Sequence, residues 1–155
     1  MDIGFEDHPV TYVSWYGATA FATHYGWRLP TEWGWESVAN YIDNRIYATC
    51  NSLYDSKRFF TNYGANGYDG REPNDLPYHS YVEHGTTPVG YFGYYGYGLA
   101  DMAGNVEEWT STVIDGFPFF RGGSWLSFDG HISVSSRFRC RPVRQCYLIG
   151  FRVCR

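Results

Sequence analysis

The stretch from Arg121 to Arg155, RGGSWLSFDGHISVSSRFRCRPVRQCYLIGFRVCR, constrains this chain more than any other. Two compact blocks bound it, Arg121-Gly122-Gly123-Ser124-Trp125 and Ile149-Gly150-Phe151-Arg152, and both read as rigid frame. Between them, Leu126 to Leu148 mixes large apolar, polar and cationic side chains without a period. A strand buried on one face alternates, and a buried helix repeats its apolar residues every three to four positions. This interior does neither cleanly, so it does not read as a regular core element. A framed, patternless run rich in contact-forming side chains suits recognition better than catalysis.

The composition describes what surrounds that run. Of 155 residues, 21% are aromatic, 18% are charged and 18 are glycine. This length reads as one domain, residues 1–155, large enough to bury a core. The aromatics and glycines fit loops and tight turns closed by ring packing, not a helical bundle. The net charge of −4 gives no general pull toward nucleic acid or an anionic membrane. Locally the sign reverses, since Arg137, Arg139, Arg141, Arg144, Arg152 and Arg155 follow one another with no acid between them. With Lys57 the only lysine, that segment suits a protein contact, where arginine and tyrosine are enriched, better than nucleic acid. Cys50, Cys140, Cys146 and Cys154 form no CxxC pair or zinc-type cluster and leave the disulfide pattern open. No apolar run reaches the ~18 residues of a membrane span, so membrane insertion is not expected. The start, MDIGFEDHPV, carries no signal-peptide pattern.

Ser14 as N-cap and Gly26 as terminator predict a helix over residues 15–25, with Trp15, Ala18, Phe21, Ala22 and Tyr25 as its apolar face. Thr31 as cap and Glu32 in the first turn predict a second helix of about ten residues, with Trp35, Val38, Ala39 and Ile42 turned inward. Turn signals then dominate from Asn51 to Gly98, with one strand near Val89. Strand signals return over residues 107–112, 119–124, 133–139 and 149–154. Two helices followed by a small antiparallel sheet with long loops is an α+β reading.

Several blocks together resemble one family. HPVTYVSWYGATAFATHYGWRLPTEWGWESVA, YGLADMAGNVEEWT, RGGSW and GFR are similar, in order and spacing, to the formylglycine-generating-enzyme, or sulfatase-modifying factor, domain. The resemblance implies a C-type lectin-like fold. In the oxidising members two cysteines shortly after the GGS(W/Y) block bind copper and carry the chemistry. Here Trp125 is followed by Leu126, Ser127, Phe128, Asp129, Gly130, His131 and Ile132, with no cysteine before Cys140. A hydroxyl does not replace a thiolate as a soft metal ligand, so neither copper nor that activity is expected. The alternative is an oxidase of the same type whose active site has moved to Cys140 and Cys146.

The same domain also serves as the scaffold of variable proteins of diversity-generating retroelements, which end in a segment framed by RGGSW-like and IGFR-like blocks. Residues 121–155 resemble such a variable region. Adenine randomisation of AAY codons cannot yield Met, Trp, Lys, Glu or Gln. Leu126 to Leu148 contains none of these except Gln145, which then reads as template-fixed, as do Ser135, Arg137 and Pro142. The implied function is noncatalytic binding of a protein ligand, with display on a virion or cell surface. The implied contact residues are Leu126, Ser127, Phe128, His131, Phe138, Arg139, Cys140, Arg141, Arg144, Cys146, Tyr147 and Leu148. By the family's GN(V/A)WEW motif, a structural calcium would be held by the carbonyls of Ala103, Gly104 and Val106 and the carboxylate of Glu108, an all-oxygen set. Equally open is an ion pair between Glu108 and an arginine. A sugar-binding role would draw on an EPN loop, but Glu72-Pro73-Asn74 precedes the predicted sheet and is set aside.

Overall fold

The computed structural model describes residues 5–51 and 85–155. The Glu72-Pro73-Asn74 triplet and most of the expected long loop lie outside the described residues. Ser14 accepts the Gly17 N–H at 3.1 Å and starts α1 (Trp15–His24), satisfying a donor that the first helical turn leaves open. Thr31 does the same for Gly34 at 3.0 Å and starts α2 (Glu32–Asn40). The inward faces are narrower than expected. In α1 only Ala18 and Ala22 are buried, while Phe21 and Tyr25 lie at the rim with their rings 4.9 Å apart. In α2 Trp35 and Ala39 are buried, but the helix ends at Asn40 and Tyr41 takes φ 53°, leaving Ile42 exposed.

The strands are β1 (Glu107–Ile114), β2 (Phe117–Arg121), β3 (Arg137–Arg139) and β4 (Ile149–Phe151), in the order β3-β2-β1-β4. β2 is antiparallel to β1 and to β3, whereas β4 is parallel to β1. The sheet is therefore mixed, not antiparallel as expected. The reason is topological: β3 and β4 occupy opposite edges, so residues 140–148 must cross the sheet and start β4 beside Glu107, at the beginning of β1. That crossing covers three inter-strand spacings, roughly 14 Å. No strand forms at Val89, where the Tyr91 N–H closes a turn on the Pro88 carbonyl (3.1 Å).

Two buried clusters flank these elements. Ala18, Ala22, Leu29, Trp109, Phe120, Cys146 and Ile149 join α1 to the sheet. Trp35, Ala39, Ala48, Met102, Ala103 and Val134 gather around α2. The small alanines of α1 let the helix approach the sheet closely. Reciprocal indole bonds fix that approach: Trp15 Nε1 donates to the Thr110 carbonyl (2.8 Å) and Trp109 Nε1 to the Val13 carbonyl (3.0 Å). Among the described residues no helix is long and apolar enough to cross a membrane.

Candidate functional site

Arg121 ends β2 and turns its side chain fully into the protein. Its Nη1 donates to the carbonyls of Ser135 (3.0 Å) and Ser136 (2.7 Å), and its Nη2 pairs with Glu36. Its Nε lies 3.9 Å from Oε1 of buried Glu32, and its guanidinium sits 5.6 Å from the Trp35 ring centroid. Arg137 adds a second tie, with Nε 2.7 Å from Glu32 Oε1. The acids of α2 thus hold two arginines of the C-terminal segment. Gly123, at φ 69°, completes the frame, because a Cβ there would stand 2.9 Å from the His131 carbonyl oxygen. A Cβ at Gly150 would meet the Val10 carbonyl at 2.4 Å.

Main-chain bonds set the course of the run between the blocks. The Val134 N–H donates to Ile46 (2.8 Å), and the carbonyls of Pro142, Cys146 and Leu148 accept from Trp15 (3.1 Å), Tyr12 (3.0 Å) and Glu107 (2.8 Å). Such bonds do not depend on which side chains the run carries.

The expected contact residues divide into three groups. Leu126, Phe128, His131, Arg139, Arg141, Arg144 and Tyr147 are exposed. Phe138, Cys140 and Leu148 are half-buried against the α1-side cluster, with the Phe138 ring stacked 5.9 Å from Phe120 and edge-on to His131 at 4.8 Å. Ser127 and Cys146 are buried and do not face solvent as expected. Ser127 Oγ accepts the Ser124 N–H at 2.9 Å, closing the turn after the frame, and Cys146 belongs to the core beside Trp109 and Phe120. Sequence reasoning passed over Val143 and Phe117, both exposed. With Arg139, Cys140, Arg141 and Arg144 they line a groove of about 600 Å³. It also passed over Tyr12, whose ring lies 6.2 Å from Tyr147; only its place beside the crossing segment reveals it.

Two groups near this groove titrate unusually. Burial pushes the Glu107 carboxyl up from 4.5 to about 7, with Arg144 pulling it partly back. Burial likewise raises the Cys140 thiol. Because the folded chain holds the Glu107 proton to higher pH than the unfolded chain, this group's contribution to stability is full below pH 4.5 and is lost as pH rises through about 7. Glu107→Gln should therefore flatten the fall in stability between those values, read from urea midpoints at a series of pH values. An unchanged profile would show that Glu107 is solvated.

Of the expected calcium ligands, Glu108 meets other partners. Glu108 Oε2 accepts from Arg152 Nε (2.5 Å) and Trp35 Nε1 (2.7 Å), and Oε1 accepts from Arg152 Nη2 (2.6 Å). Asp101, which sequence reasoning left out, borders the same pocket, and its Oδ2 accepts the Gly90 N–H (2.8 Å). Burial raises its pKa first of all. Ala103, Gly104 and Val106 are buried alongside. A carboxylate bound on both oxygens to a guanidinium offers a divalent cation little uncompensated charge. As arranged, the Glu108 carboxylate fits the Glu108–Arg152 ion pair and not a calcium ion. A structural ion at a hundredfold excess over its Kd would add about 2.7 kcal/mol, roughly 5–10 °C for a chain of this size. Melting with calcium and with chelator should show no such difference; a rise of that order would mean that Arg152 yields its place.

Comparison with known proteins gives the arrangement its relatives. The sulfatase-modifying factor enzyme 1-like domain matches residues 3–155. The formylglycine-generating enzyme of Thermomonospora curvata is 37% identical over 138 residues, 88% of this chain and 40% of that protein. A Bos taurus protein named inactive C-alpha-formylglycine-generating enzyme 2 is 32% identical over 158 residues, 94% of this chain and 50% of that protein. The chain thus spans half or less of these relatives' length. Among solved structures, Treponema denticola variable protein 1 matches with a TM-score of 0.75 at 21% identity, over 95% of this chain and 70% of that one. A Major Tropism Determinant U1 variant matches at 0.59 and 14% identity, over 91% of this chain and 37% of that one. At those identities the likeness is one of fold, and the fold is the C-type lectin-like one that the sequence blocks imply. By its full-length match, its framing blocks and its architecture, the chain belongs to the sulfatase-modifying factor, or formylglycine-generating-enzyme, family.

Proposed function

We propose that this chain is a noncatalytic ligand-binding protein whose segment from residue 121 to 155 is diversified by a retroelement to bind protein ligands, displayed on a virion or cell surface. The observation that carries the reading is that the run between the two blocks is held by Arg121 and by main-chain bonds, while Leu126, Phe128, His131, Arg139, Arg141, Arg144 and Tyr147 face outward. A fold of this kind tolerates changes at those positions. Of the residues read as template-fixed, Arg137 agrees, because its own side chain pairs with buried Glu32. The likeness to chains named a variable protein and a tropism determinant points the same way.

The oxidase alternative draws on family membership and would need Cys140 and Cys146 as the working thiols. Burial holds the Cys140 thiol protonated to higher pH and Cys146 sits in the core, whereas a reactive cysteine wants an exposed thiolate. Incubation with copper and a cysteine-containing sulfatase peptide should yield no aldehyde; conversion would restore the enzyme. Sequencing the neighbouring DNA should reveal a near-identical repeat of the codons for residues 121–155, differing at adenines, beside a reverse transcriptase gene. Its absence would sink the retroelement part of the reading. Replacing Leu126, Phe128 and Tyr147 together by serine should move the melting midpoint by no more than about 3–6 °C, since exposed substitutions stay near 0.5 kcal/mol each. A larger loss would place these side chains in the core.

A further inference from the structure

We infer that the arginine-lined groove beside β3 reads acidic side chains on the partner protein. The inference rests on the binding reading above and adds the chemistry of what is bound. The other arginines of the frame and of β3 already have buried or stacked partners: Arg121 has Glu36 and Glu32, Arg137 has Glu32 and the Phe119 ring, and Arg152 has Glu108. Arg139, Arg141 and Arg144 differ. Arg139 stands at a looser 5.9 Å from the Phe119 ring centroid and its carboxylate partner is Asp115, at 3.6 Å, with that acid's side chain 78% exposed; exposed pairs of this kind exchange partners at little cost. Arg141 has no carboxylate partner among the described residues. Arg144 donates through Nη2 to the Cys146 sulfur at 4.0 Å, a weak and uncharged acceptor, and the acid near it, Glu107, is raised by burial to about 7 and so is only partly ionised at neutral pH.

The groove therefore carries a surplus of positive charge on a chain whose net charge is −4. Guanidinium forks match carboxylates with two parallel hydrogen bonds, and arginine is among the residues that dominate binding energy at protein contacts. Phe117, 39% exposed, and Val143, 65% exposed, add apolar wall. A segment with acidic residues around an apolar one fills such a site. Nucleic acid is the weaker match, because the surrounding chain is acidic and three phosphate contacts contribute little sequence-independent affinity at physiological salt.

Panning a phage library of random peptides on the intact chain tests this, with counter-screens against R139Q/R141Q/R144Q and F128A/Y147A. Recovered peptides should be rich in Asp and Glu, and the triple variant should weaken them about tenfold or more, with further loss as salt rises. Where the triple variant does not fold, R141Q/R144Q decides, since it leaves the Arg139–Asp115 pair in place. Binders that show no acidic bias, and that depend on Phe128 and Tyr147 but not on the arginines, would overturn the inference while leaving the binding surface standing. Binders that ignore both variants would overturn both. Displacement by single-stranded DNA or heparin more readily than by poly-glutamate would overturn the assignment to protein carboxylates.

Discussion

Arg121→Met should lower the melting midpoint by roughly 6–20 °C. Removing one partner of a buried ion pair costs about 3–5 kcal/mol, and each kcal/mol shifts a chain of this size by about 2–4 °C. The loss is large because one guanidinium serves three groups at once: the acid of Glu36 and the carbonyls of Ser135 and Ser136. Glu32, 1% exposed, would retain Arg137, so the damage should concentrate on Glu36 and on the turn before β3. Hydrogen exchange of residues 130–139 should accelerate in parallel. Arg121→Lys keeps the charge but not the fork, and should recover only part of the stability. A drop of under about 2 °C for the methionine variant would sink the argument, since well-packed apolar side chains sometimes replace buried ion pairs at no cost.

Trp125→Ala is the second large effect, about 3 kcal/mol and so roughly 6–12 °C. The figure sits at the low end of the range for tryptophan truncation because the ring is only half-buried. Its backbone N–H donates to the Asn105 carbonyl at 2.9 Å, and its ring lies so close over Gly85 that a Cβ there would stand 1.9 Å from it. Gly85→Ala should therefore reproduce much of the loss from the opposite side. Phe128→Ala, three residues along and 65% exposed, should cost under about 0.5 kcal/mol. If calorimetry gave Trp125 and Phe128 the same cost, the block would not be a rigid frame.

How far the sequence could be read depended on whether a feature was local. Ser14 and Thr31 announced both helices because a cap acts on the donors two or three residues away. The frame was legible for the same reason, as two glycine-containing blocks of fixed spacing. The parallel pairing of β4 was not, because it follows from which edges β3 and β4 occupy, and that is decided by packing across the whole sheet. Ser127 and Cys146 escaped for a related reason: in a run without period, nothing in the order of residues says which side chain turns inward. Arg121 could be assigned to the frame, but its partners Glu32 and Glu36 lie more than eighty residues away. The groove at Arg139, Arg141 and Arg144 was foreshadowed by charge alone, and only the fold brings Phe117 from β2 to its wall.

The crossing segment has one more consequence, for the thermodynamics of whatever it meets. A loop ordered only on contact gives up conformational freedom at that moment, which subtracts from its affinity. Here the course of residues 134–148 is fixed by bonds to Ile46, Trp15, Tyr12 and Glu107 before any encounter. Exchanging the outward side chains then changes what is touched without changing how much disorder must be removed. If the segment is diversified as proposed, its versions would start from the same preorganised state, and their affinities would differ mainly in how fast each complex dissociates.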